Sequence, residues 1–313
     1  MSRLHIAIIC PGSLPVPAYG GTERVAWGLA RELVRAGHRV TLLTSGNSQA
    51  DFAHCIRYNP GTSLEAQVPA DVDFIHLHAP FRTQTIRRPH MYTIQGNAKP
   101  GETYSQNTVF VSRNHARRHG SEAYVLNGLY WPDYGQVDWT TPRKHLLFLA
   151  KASRSEKNLR GSRKAARKAG LPLAVLGGSG WDIRGNTRYY GMVGGEKKNR
   201  LLNQGLALLF PILWEEPFGL AVIEALYFGC PVIATPRGAM PELVTPEVGI
   251  LSENPDDWAQ AAAQSGSYDR KALHEYVREE FSASRVAADY LRYYERVLNG
   301  EVLNPKAPGR PMD

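Results

Sequence analysis

The sequence is poor in cysteine and has no long apolar runs. Its three cysteines, Cys10, Cys55 and Cys230, are far apart and form no CxxC pair. An odd number of cysteines at such spacing does not build a disulfide framework, so we expect them to be reduced. The apolar run at residues 6–10 is far shorter than a signal-peptide core or a membrane span. We therefore expect the chain to stay in the cytoplasm.

Signatures of cofactor and metal binding are also missing. No predicted strand is followed by a G-x-G-x-x-G loop, which argues against a nicotinamide cofactor. The pairs His76 with His78 and His115 with His119 supply two ligands each, whereas a zinc site uses three or four. A D-x-D string at residues 71–73 leads directly into a predicted strand. We expect neither a metal nor a cofactor.

Basic residues exceed acidic ones by 37 to 29, which gives a formal net charge of +8. Such an excess favours anionic partners: nucleic acid, phosphate esters or an anionic membrane face. The densest basic patch, at residues 157–168, has none of the interleaved aromatic side chains of a single-strand nucleic-acid binder. We interpret the patch as a solvated helix face and expect no nucleic-acid partner.

The length of 313 residues and the apolar content of 43% fit two folded domains. Short aliphatic runs alternate with helical periods, the pattern of parallel sheets covered by helices on both faces. The predicted fold class is α/β, with two Rossmann-like doubly wound domains facing each other across a cleft. The predicted strands are residues 6–10, 39–44, 73–77, 90–94, 108–111, 145–150, 172–176, 206–210 and 231–234.

Residues 128–143 contain tryptophan, proline and glycine without periodicity, so the domain boundary is expected there. We predict an amino-terminal domain at residues 1–135 and a second domain at residues 136–285. A helix at residues 286–300 is expected to pack back toward the amino-terminal domain. The Pro-rich residues 301–313 are predicted to form a flexible tail.

Residues 216–242, EPFGLAVIEALYFGCPVIATPRGAMPE, are the most informative segment. Because proline and glycine disfavour a helix interior, a helix must begin just after Gly219. Its free amides would form an anion site suited to a diphosphate. Glu216 and Glu224 flank this point, and ionised carboxylates can accept hydrogen bonds from vicinal sugar hydroxyls. The alternative is that Glu216 offsets the helix dipole and Glu224 lies on the surface.

The E-x7-E spacing of EPFGLAVIE resembles the retaining glycosyltransferases of family four, also called group 1, which have the B-type fold. The resemblance implies that Glu216 holds hydroxyls of the donor sugar and that Glu224 binds the ribose. It also implies that the amides of Phe218, Gly219 and Leu220 meet the sugar and the phosphates. In the same way it implies that the domain at residues 1–135 is the acceptor-side domain and that the domain at residues 136–285 binds the nucleotide sugar.

Three further segments resemble the same family. FLAKASRSEKNL at residues 148–159 resembles the loop that carries two cations to the donor diphosphate, which implies Lys157 and either Lys151 or Arg154. YGGTERV at residues 19–25 implies that Gly20 and Gly21 approach a phosphate. The turn at Gly177, after a predicted strand, implies a further donor contact.

One departure from the family concerns the acceptor side. Where the family has a histidine in a T-x-H-G context, this chain reads TIQGN and places Gln95 there. Glutamine cannot transfer a proton but can still hydrogen-bond a hydroxyl. We expect Gln95, Asn97 and Arg113 on the acceptor side. His78, at the end of a predicted strand, is a further catalytic candidate, with a structural role as the alternative.

The predicted function is metal-independent transfer of a sugar from a nucleotide-diphosphate sugar to an acceptor hydroxyl with retention of configuration. Lys151, Lys157, Glu216 and His78 are the catalytic candidates. The alternatives are an inactive nucleotide-sugar-binding subunit and a sugar-nucleotide epimerase or phosphorylase on the same fold. Arginines in the amino-terminal half suggest an anionic or membrane-borne acceptor, and hence a peripheral position at the inner membrane face, although a solvated surface explains them equally.

Overall fold

A computed structural model describes residues 3–16, 20–79, 85–183 and 185–311. Within these ranges the chain divides into two compact units. The first contains residues up to 130, apart from residues 17–19, together with those from 281 onward, and the second contains residues 131–280. No helix in these ranges is both long enough and apolar enough to cross a membrane.

The first unit alternates strands and helices along the chain. Its elements are β1 (His5–Cys10), α1 (Gly21–Arg35), β2 (Arg39–Thr44), β3 (His54–Arg57), α2 (Leu64–Gln67), β4 (Phe74–Leu77), β5 (His90–Ile94), β6 (Thr108–Phe110) and α3 (Arg113–Arg118). The six strands form one sheet in the order β3-β2-β1-β4-β5-β6, with every pair parallel. Because consecutive parallel strands require crossover connections, helices cover the faces of this sheet.

The second unit repeats the same plan. Its elements are β7 (His145–Leu149), α4 (Leu159–Lys168), β8 (Leu173–Leu176), β9 (Thr187–Tyr189), α5 (Gly195–Asn203), β10 (Gly205–Phe210), α6 (Leu220–Tyr227), β11 (Val232–Ala234), α7 (Met240–Leu243), β12 (Gly249–Leu251), α8 (Pro255–Ala263) and α9 (Arg270–Glu280). The strand order is β12-β11-β10-β7-β8-β9, again all parallel. The predicted doubly wound α/β class is therefore confirmed in both units.

The final helix, α10 (Ala283–Leu298), belongs to the first unit. Val286, Ala287, Tyr290 and Tyr294 are buried in the same core cluster as α1 and β1. The spacing of these four side chains places them on one face of the helix. The first unit is thus built from two separate stretches of the chain.

Residues 301–311 differ from the predicted flexible tail. The Asn304 side chain is 1% exposed and donates to the carbonyls of Gln106 and Thr108 at 2.7 and 2.8 Å. The Gly309 amide donates to the His119 carbonyl at 2.9 Å. The prediction was wrong because proline content marks a segment that cannot be a helix, but it does not exclude docking through side-chain and backbone hydrogen bonds.

Candidate active site

The strand order of the second unit reverses direction between β7 and β10, which are direct neighbours. In doubly wound sheets, ligands bind outside the carboxyl ends of the strands at this reversal. The loop after β7 contains Lys157, and the loop after β10 contains Glu216. Topology alone therefore places both predicted donor-site residues at the expected position in this sheet.

Hydrogen bonds hold the two loops together. The Leu213 amide donates to the Glu156 carbonyl at 2.8 Å, and Asn158 Nδ2 donates to the Pro211 carbonyl at 2.8 Å. Asn158 has a left-handed φ of 55°, and its side chain also caps α4 by accepting from the Gly161 amide at 2.9 Å. Asparagine tolerates this conformation better than most residues. Asn158 thus fixes where α4 begins and where Lys157 lies.

Lys157 and Glu216 form an ion pair across the two loops. Lys157 Nζ lies 2.5 Å from Glu216 Oε2, and their side chains are 14% and 12% exposed. Trp214 Nε1 donates to the same carboxylate oxygen at 2.8 Å, and its ring lies 4.7 Å from Lys157 Nζ. These contacts fix the geometry of the Lys157 and Glu216 side chains, both of which remain partly exposed to solvent. Trp214 was not predicted from the sequence, since a lone tryptophan in a loop carries no motif.

Helix α6 begins at Leu220, as the sequence predicted. Gly219, with a φ of 105°, precedes it, and no side chain caps its amino terminus. The positive φ requires glycine at position 219, whereas the nearest atom to a Cβ there would be the mobile end of the Met240 side chain. The Phe218 ring is buried, at 2% exposure. An uncapped helix amino terminus beside a lysine is suited to a phosphate group.

A loop that precedes α7 holds Glu215 and Glu216 in place. The Gly238 amide donates to Glu215 Oε2 at 2.7 Å, and the Ala239 amide donates to the Glu216 carbonyl at 2.9 Å. Gly238 has a φ of 60°, and a Cβ there would lie 2.2 Å from the Glu216 carbonyl oxygen. Gly238 lies in the informative segment, but its role follows only from this tertiary contact.

Glu224, the predicted ribose ligand, is buried within the second unit at 4% exposure. Lys198 Nζ lies 2.5 Å from Glu224 Oε1, and the Tyr134 hydroxyl donates to the same oxygen at 2.6 Å. Glu224 is therefore not the surface group of the alternative interpretation. It forms an ion pair with the buried Lys198, and a pairing across 26 residues could not be predicted from the sequence.

The remaining donor-side candidates have mixed surroundings. Lys151 is partly buried at the end of β7, whereas Arg154 is exposed and lies 2.5 Å from Glu156 Oε1. Gly177 has a φ of 137°, and a Cβ there would lie 2.0 Å from the Ala150 carbonyl oxygen. Close packing against the end of β7 thus accounts for glycine at position 177.

Gly20 and Gly21 lie where α1 begins in the first unit, Gly20 as the residue before the helix and Gly21 as its first residue. A Cβ at Gly20 would lie 2.6 Å from Glu23 Oε2, and one at Gly12 would lie 2.8 Å from Glu23 Oε1. A carboxylate therefore occupies the space beside the helix amino terminus. Because a like charge repels a phosphate, these contacts do not support the predicted approach of Gly20 and Gly21 to one.

His78 follows β4 and is 2% exposed. Its ring lies 4.2 Å from that of His76, and neither of its nitrogens has a hydrogen-bond partner among the described residues. Burial lowers the pKa of His78 to about 3, so the imidazole is neutral and a weak base. These surroundings give no support to the predicted catalytic role.

The acceptor-side candidates are engaged within the first unit. Asn127 Nδ2 donates to Gln95 Oε1 at 2.8 Å, and Asn97 Oδ1 accepts from Arg118 at 2.9 Å. Arg113 is exposed and donates to the Tyr124 hydroxyl at 2.9 Å. Each of the three side chains therefore has a hydrogen-bond partner within the first unit.

Part of the second unit matches a known protein family. Residues 180–275 match the sequence model of the family described as glycosyl transferases group 1. A "41.2 kDa protein in cps region" of Klebsiella pneumoniae is 26% identical over 144 residues. That alignment covers 42% of this chain and 40% of the relative.

Solved structures resemble nearly the whole chain. The crystal structure of AviGT4, a glycosyltransferase involved in avilamycin A biosynthesis, superposes with a TM-score of 0.82 at 22% identity, covering 95% of this chain and 99% of the other. The fold is the B-type glycosyltransferase fold. A glycosyltransferase from Rickettsia africae has a TM-score of 0.70 at 14% identity, covering 96% and 100%. Anabaena HepE in complex with UDP and glucose has a TM-score of 0.69 at 14% identity, covering 94% and 100%. The family match thus lies within the second unit, and the solved structures share the fold of the whole chain.

Proposed function

We propose that this protein transfers a sugar from a nucleotide-diphosphate donor to an acceptor hydroxyl, with retention of configuration and without a metal ion. The observation that carries the proposal is the meeting of Lys157 with Glu216 beside the uncapped start of α6, at the reversal of strand order. A cation, free helix amides and a carboxylate are the groups that a sugar diphosphate needs. The match of residues 180–275 to the group 1 family points to the same chemistry.

In this proposal Lys157 and the helix amides stabilise the negative charge that grows on the diphosphate as the glycosidic bond breaks. Glu216 accepts hydrogen bonds from hydroxyls of the donor sugar, and the Lys157–Glu216 contact opens to admit the donor. Lys151 is proposed as the second cation, because it is partly buried and follows the carboxyl end of β7 by two residues, at the edge of the sheet where the loop with Lys157 also begins. The departing phosphate oxygen takes the acceptor proton, so no side-chain nucleophile is required.

A role for Glu224 in ribose binding is retained as part of the proposal, with a modification. Lys198 and Tyr134 both contact Glu224 Oε1, so a ribose must share the carboxylate with them. A carboxylate can accept several hydrogen bonds, which makes sharing chemically feasible. Calorimetric titration of nucleoside diphosphates into Glu224→Gln tests this role directly: unchanged affinity contradicts it.

Thermal-shift measurements with UDP-, GDP-, ADP- and TDP-sugars test the proposed donor class. A ligand that binds the native state raises its apparent stability, so one nucleotide series is expected to raise the Tm. The matched variant Lys157→Ala is expected to lose most of this shift. No shift with any nucleotide sugar contradicts the proposal.

Retention and metal independence need separate measurements. With the preferred donor and a small acceptor, NMR of the product is expected to show the anomeric configuration of the donor. Turnover is expected to survive EDTA. Inverted product or loss of turnover that is restored by a divalent cation contradicts the corresponding part of the proposal.

One observation favours a second candidate, a binding subunit without catalysis. Gln95 stands where the family has a histidine, and its side chain is paired with Asn127. Slow hydrolysis of the donor to free nucleoside diphosphate separates the two candidates, because only a catalytic site releases the sugar. Tight binding of a donor without hydrolysis or transfer favours the binding subunit.

A further inference from the structure

We propose that the second unit docks on an anionic lipid surface through Trp181 and Ile183, together with the basic face of α4. The proposal does not depend on the identity of the donor or on catalysis. It concerns the loop between β8 and β9, which lies at an edge of the second sheet.

Trp181 and Ile183 are the two most exposed large apolar side chains in the described part of the chain, at 92% and 100%. The other exposed ones are Met192, Leu213 and Val302, between 47% and 54%. Single exposed apolar residues are common, but a tryptophan and an isoleucine two positions apart and almost fully exposed are not explained by packing. Tryptophan favours the boundary between water and lipid, because its ring is apolar and its N–H is polar.

The loop that carries these two residues is anchored to α4. Asp182, between them in the sequence, lies 2.6 Å from Arg163 Nη2 and accepts from the Thr187 amide at 2.8 Å. Hydrogen bonding from Thr187, together with the Arg163 guanidinium, lowers the pKa of Asp182 to about 2, so the carboxylate stays ionised and the anchor persists at neutral pH. The position of the apolar pair relative to α4 is therefore set by an ion pair within the unit.

The face of α4 that continues from this anchor is basic. Arg160 and Arg167 lie one turn to either side of Arg163, and Lys164 and Lys168 lie beside them. Arg160, Lys164 and Lys168 are exposed, whereas Ser162, Ala165 and Ala166 are buried on the opposite face. Asp256 of α8 neutralises Lys168 at 2.6 Å, and Asp182 neutralises Arg163.

These two ion pairs leave Arg160, Lys164 and Arg167 as the cations of α4 that no carboxylate neutralises among the described residues. Arg188 of β9 is a further exposed cation. A basic face beside an exposed tryptophan and an aliphatic side chain has the composition of a peripheral membrane site. The cations attract anionic headgroups, while the apolar pair enters the boundary with the acyl chains. An acidic polysaccharide would engage the cations but would leave the Ile183 side chain without a suitable partner.

Flotation of the intact protein with vesicles tests the proposal. We expect binding to vesicles of phosphatidylcholine mixed with phosphatidylglycerol, weaker binding to phosphatidylcholine alone, and a decrease as salt is added. The variant Trp181→Ser is expected to weaken binding on the order of tenfold, because it removes one buried aromatic side chain. Arg160→Gln is expected to weaken it about fivefold, the effect of one basic residue near an anionic surface.

Two matched controls come from exposed positions elsewhere in the chain. Val302→Ser removes an exposed apolar side chain from the first unit, and Lys271→Gln removes an exposed cation at the start of α9. Both are expected to bind vesicles like the wild type. Since all four changes are at the surface, urea unfolding is expected to show the same stability for every variant.

Quenching by brominated lipids gives an independent measurement of insertion. Tryptophan fluorescence of the wild type is expected to be quenched, and the variant Trp181→Phe is expected to lose that quenching while still floating with the vesicles. Equal binding to both vesicle types, wild-type binding of Trp181→Ser, or quenching retained by Trp181→Phe overturns the proposal. Salt-sensitive binding to an acidic polysaccharide without binding to vesicles also overturns it and assigns the basic face to a polysaccharide.

Discussion

At the residue scale, the proposed function depends most strongly on Lys157. Its ammonium group is the cation that the structure places against Glu216, near the start of α6. Lys157→Ala is expected to lower kcat about a hundredfold, because one preorganised donor to the developing charge is removed. Turnover of the preferred donor measures the effect.

The control for this prediction is Lys197→Ala, which removes an exposed lysine from α5. It is expected to retain wild-type turnover. Circular dichroism should show that both variants are folded, since Trp214 still donates to Glu216 in Lys157→Ala. A loss of turnover smaller than a few fold in a folded Lys157→Ala variant contradicts the role of Lys157.

The buried pair of Lys198 and Glu224 leads to a prediction about stability. Lys198→Met leaves the Glu224 carboxylate buried without the lysine charge, although the Tyr134 hydroxyl still donates to it, and is expected to lower the free energy of unfolding by about 3–5 kcal/mol. The double variant Lys198→Met/Glu224→Leu is expected to recover most of this loss, since no charge remains buried. Urea unfolding of both variants measures the difference.

An exposed ion pair provides the comparison. Lys168 and Asp256 lie 2.6 Å apart at 55% and 71% exposure. Because solvent screens such a pair, Lys168→Ala is expected to change stability by about 0.5 kcal/mol or less. Equal losses in Lys198→Met and Lys168→Ala would show that burial of the Lys198–Glu224 pair has no energetic consequence.

At the element scale, the loop before α7 holds the Glu216 loop in position through hydrogen bonds from its backbone amides. Gly238→Ala introduces a Cβ that overlaps the Glu216 carbonyl and a conformation that alanine rarely adopts. We expect a loss of stability of about 2 kcal/mol and a fall in kcat/KM of more than tenfold. Thermal unfolding and steady-state kinetics measure the two effects.

Gly266→Ala is the matched glycine substitution in the same unit. A Cβ at Gly266 meets nothing within 4 Å. Wild-type stability and kinetics are therefore expected for this variant. If Gly238→Ala behaves in the same way, the loop before α7 does not hold the Glu216 loop.

The strands predicted from the sequence differ from those of the structure mainly at the edges of the sheets. The central strands of both sheets were predicted, because they are long aliphatic runs buried on both faces. The edge strands β3, β9 and β12 were missed. Each has three or four residues and includes partly exposed or polar positions, so local composition carries little signal.

The start of α6 was predicted correctly for a local reason, since proline and glycine determine where a helix can begin. In contrast, the contacts of Glu216 with Trp214 and of Glu224 with Lys198 depend on which loops and helices meet. Motif reasoning placed Glu216 and Lys157 together through a family resemblance. It could not have found Tyr134, because its contact with Glu224 joins residues 90 positions apart.

At the scale of the whole molecule, buried histidines are concentrated in the first unit. Burial lowers the pKa values of His76, His78, His115 and His119, all of which are at most 2% exposed. Below the ordinary histidine pKa of 6.5, the unfolded chain binds protons that the folded unit does not. Stability is therefore expected to be constant above that pH and to fall as the pH decreases below it. Each buried imidazole contributes a slope of up to about 1.4 kcal/mol per pH unit.

Calorimetry of the wild type and of His78→Leu, above and below pH 6.5, tests whether buried histidines cause this fall in stability. The variant is expected to show a smaller slope below pH 6.5, and at neutral pH no loss of stability, because the ring nitrogens of His78 have no partners among the described residues. His54→Leu, at an exposed position of β3, is the control. An unchanged slope in His78→Leu contradicts the contribution of this residue.

The composition of the first unit from two stretches of chain has a consequence for synthesis on the ribosome. Residues 131–280 are complete before α10 is translated, so the second unit can reach its native state first. Until then, His76 lacks the hydroxyl of Tyr294, and Thr93 lacks that of Tyr290. The nascent amino-terminal half must therefore wait for the last helix with one hydrogen bond missing at each of these two buried side chains and with the apolar surface that α10 covers still exposed, which favours aggregation during this interval.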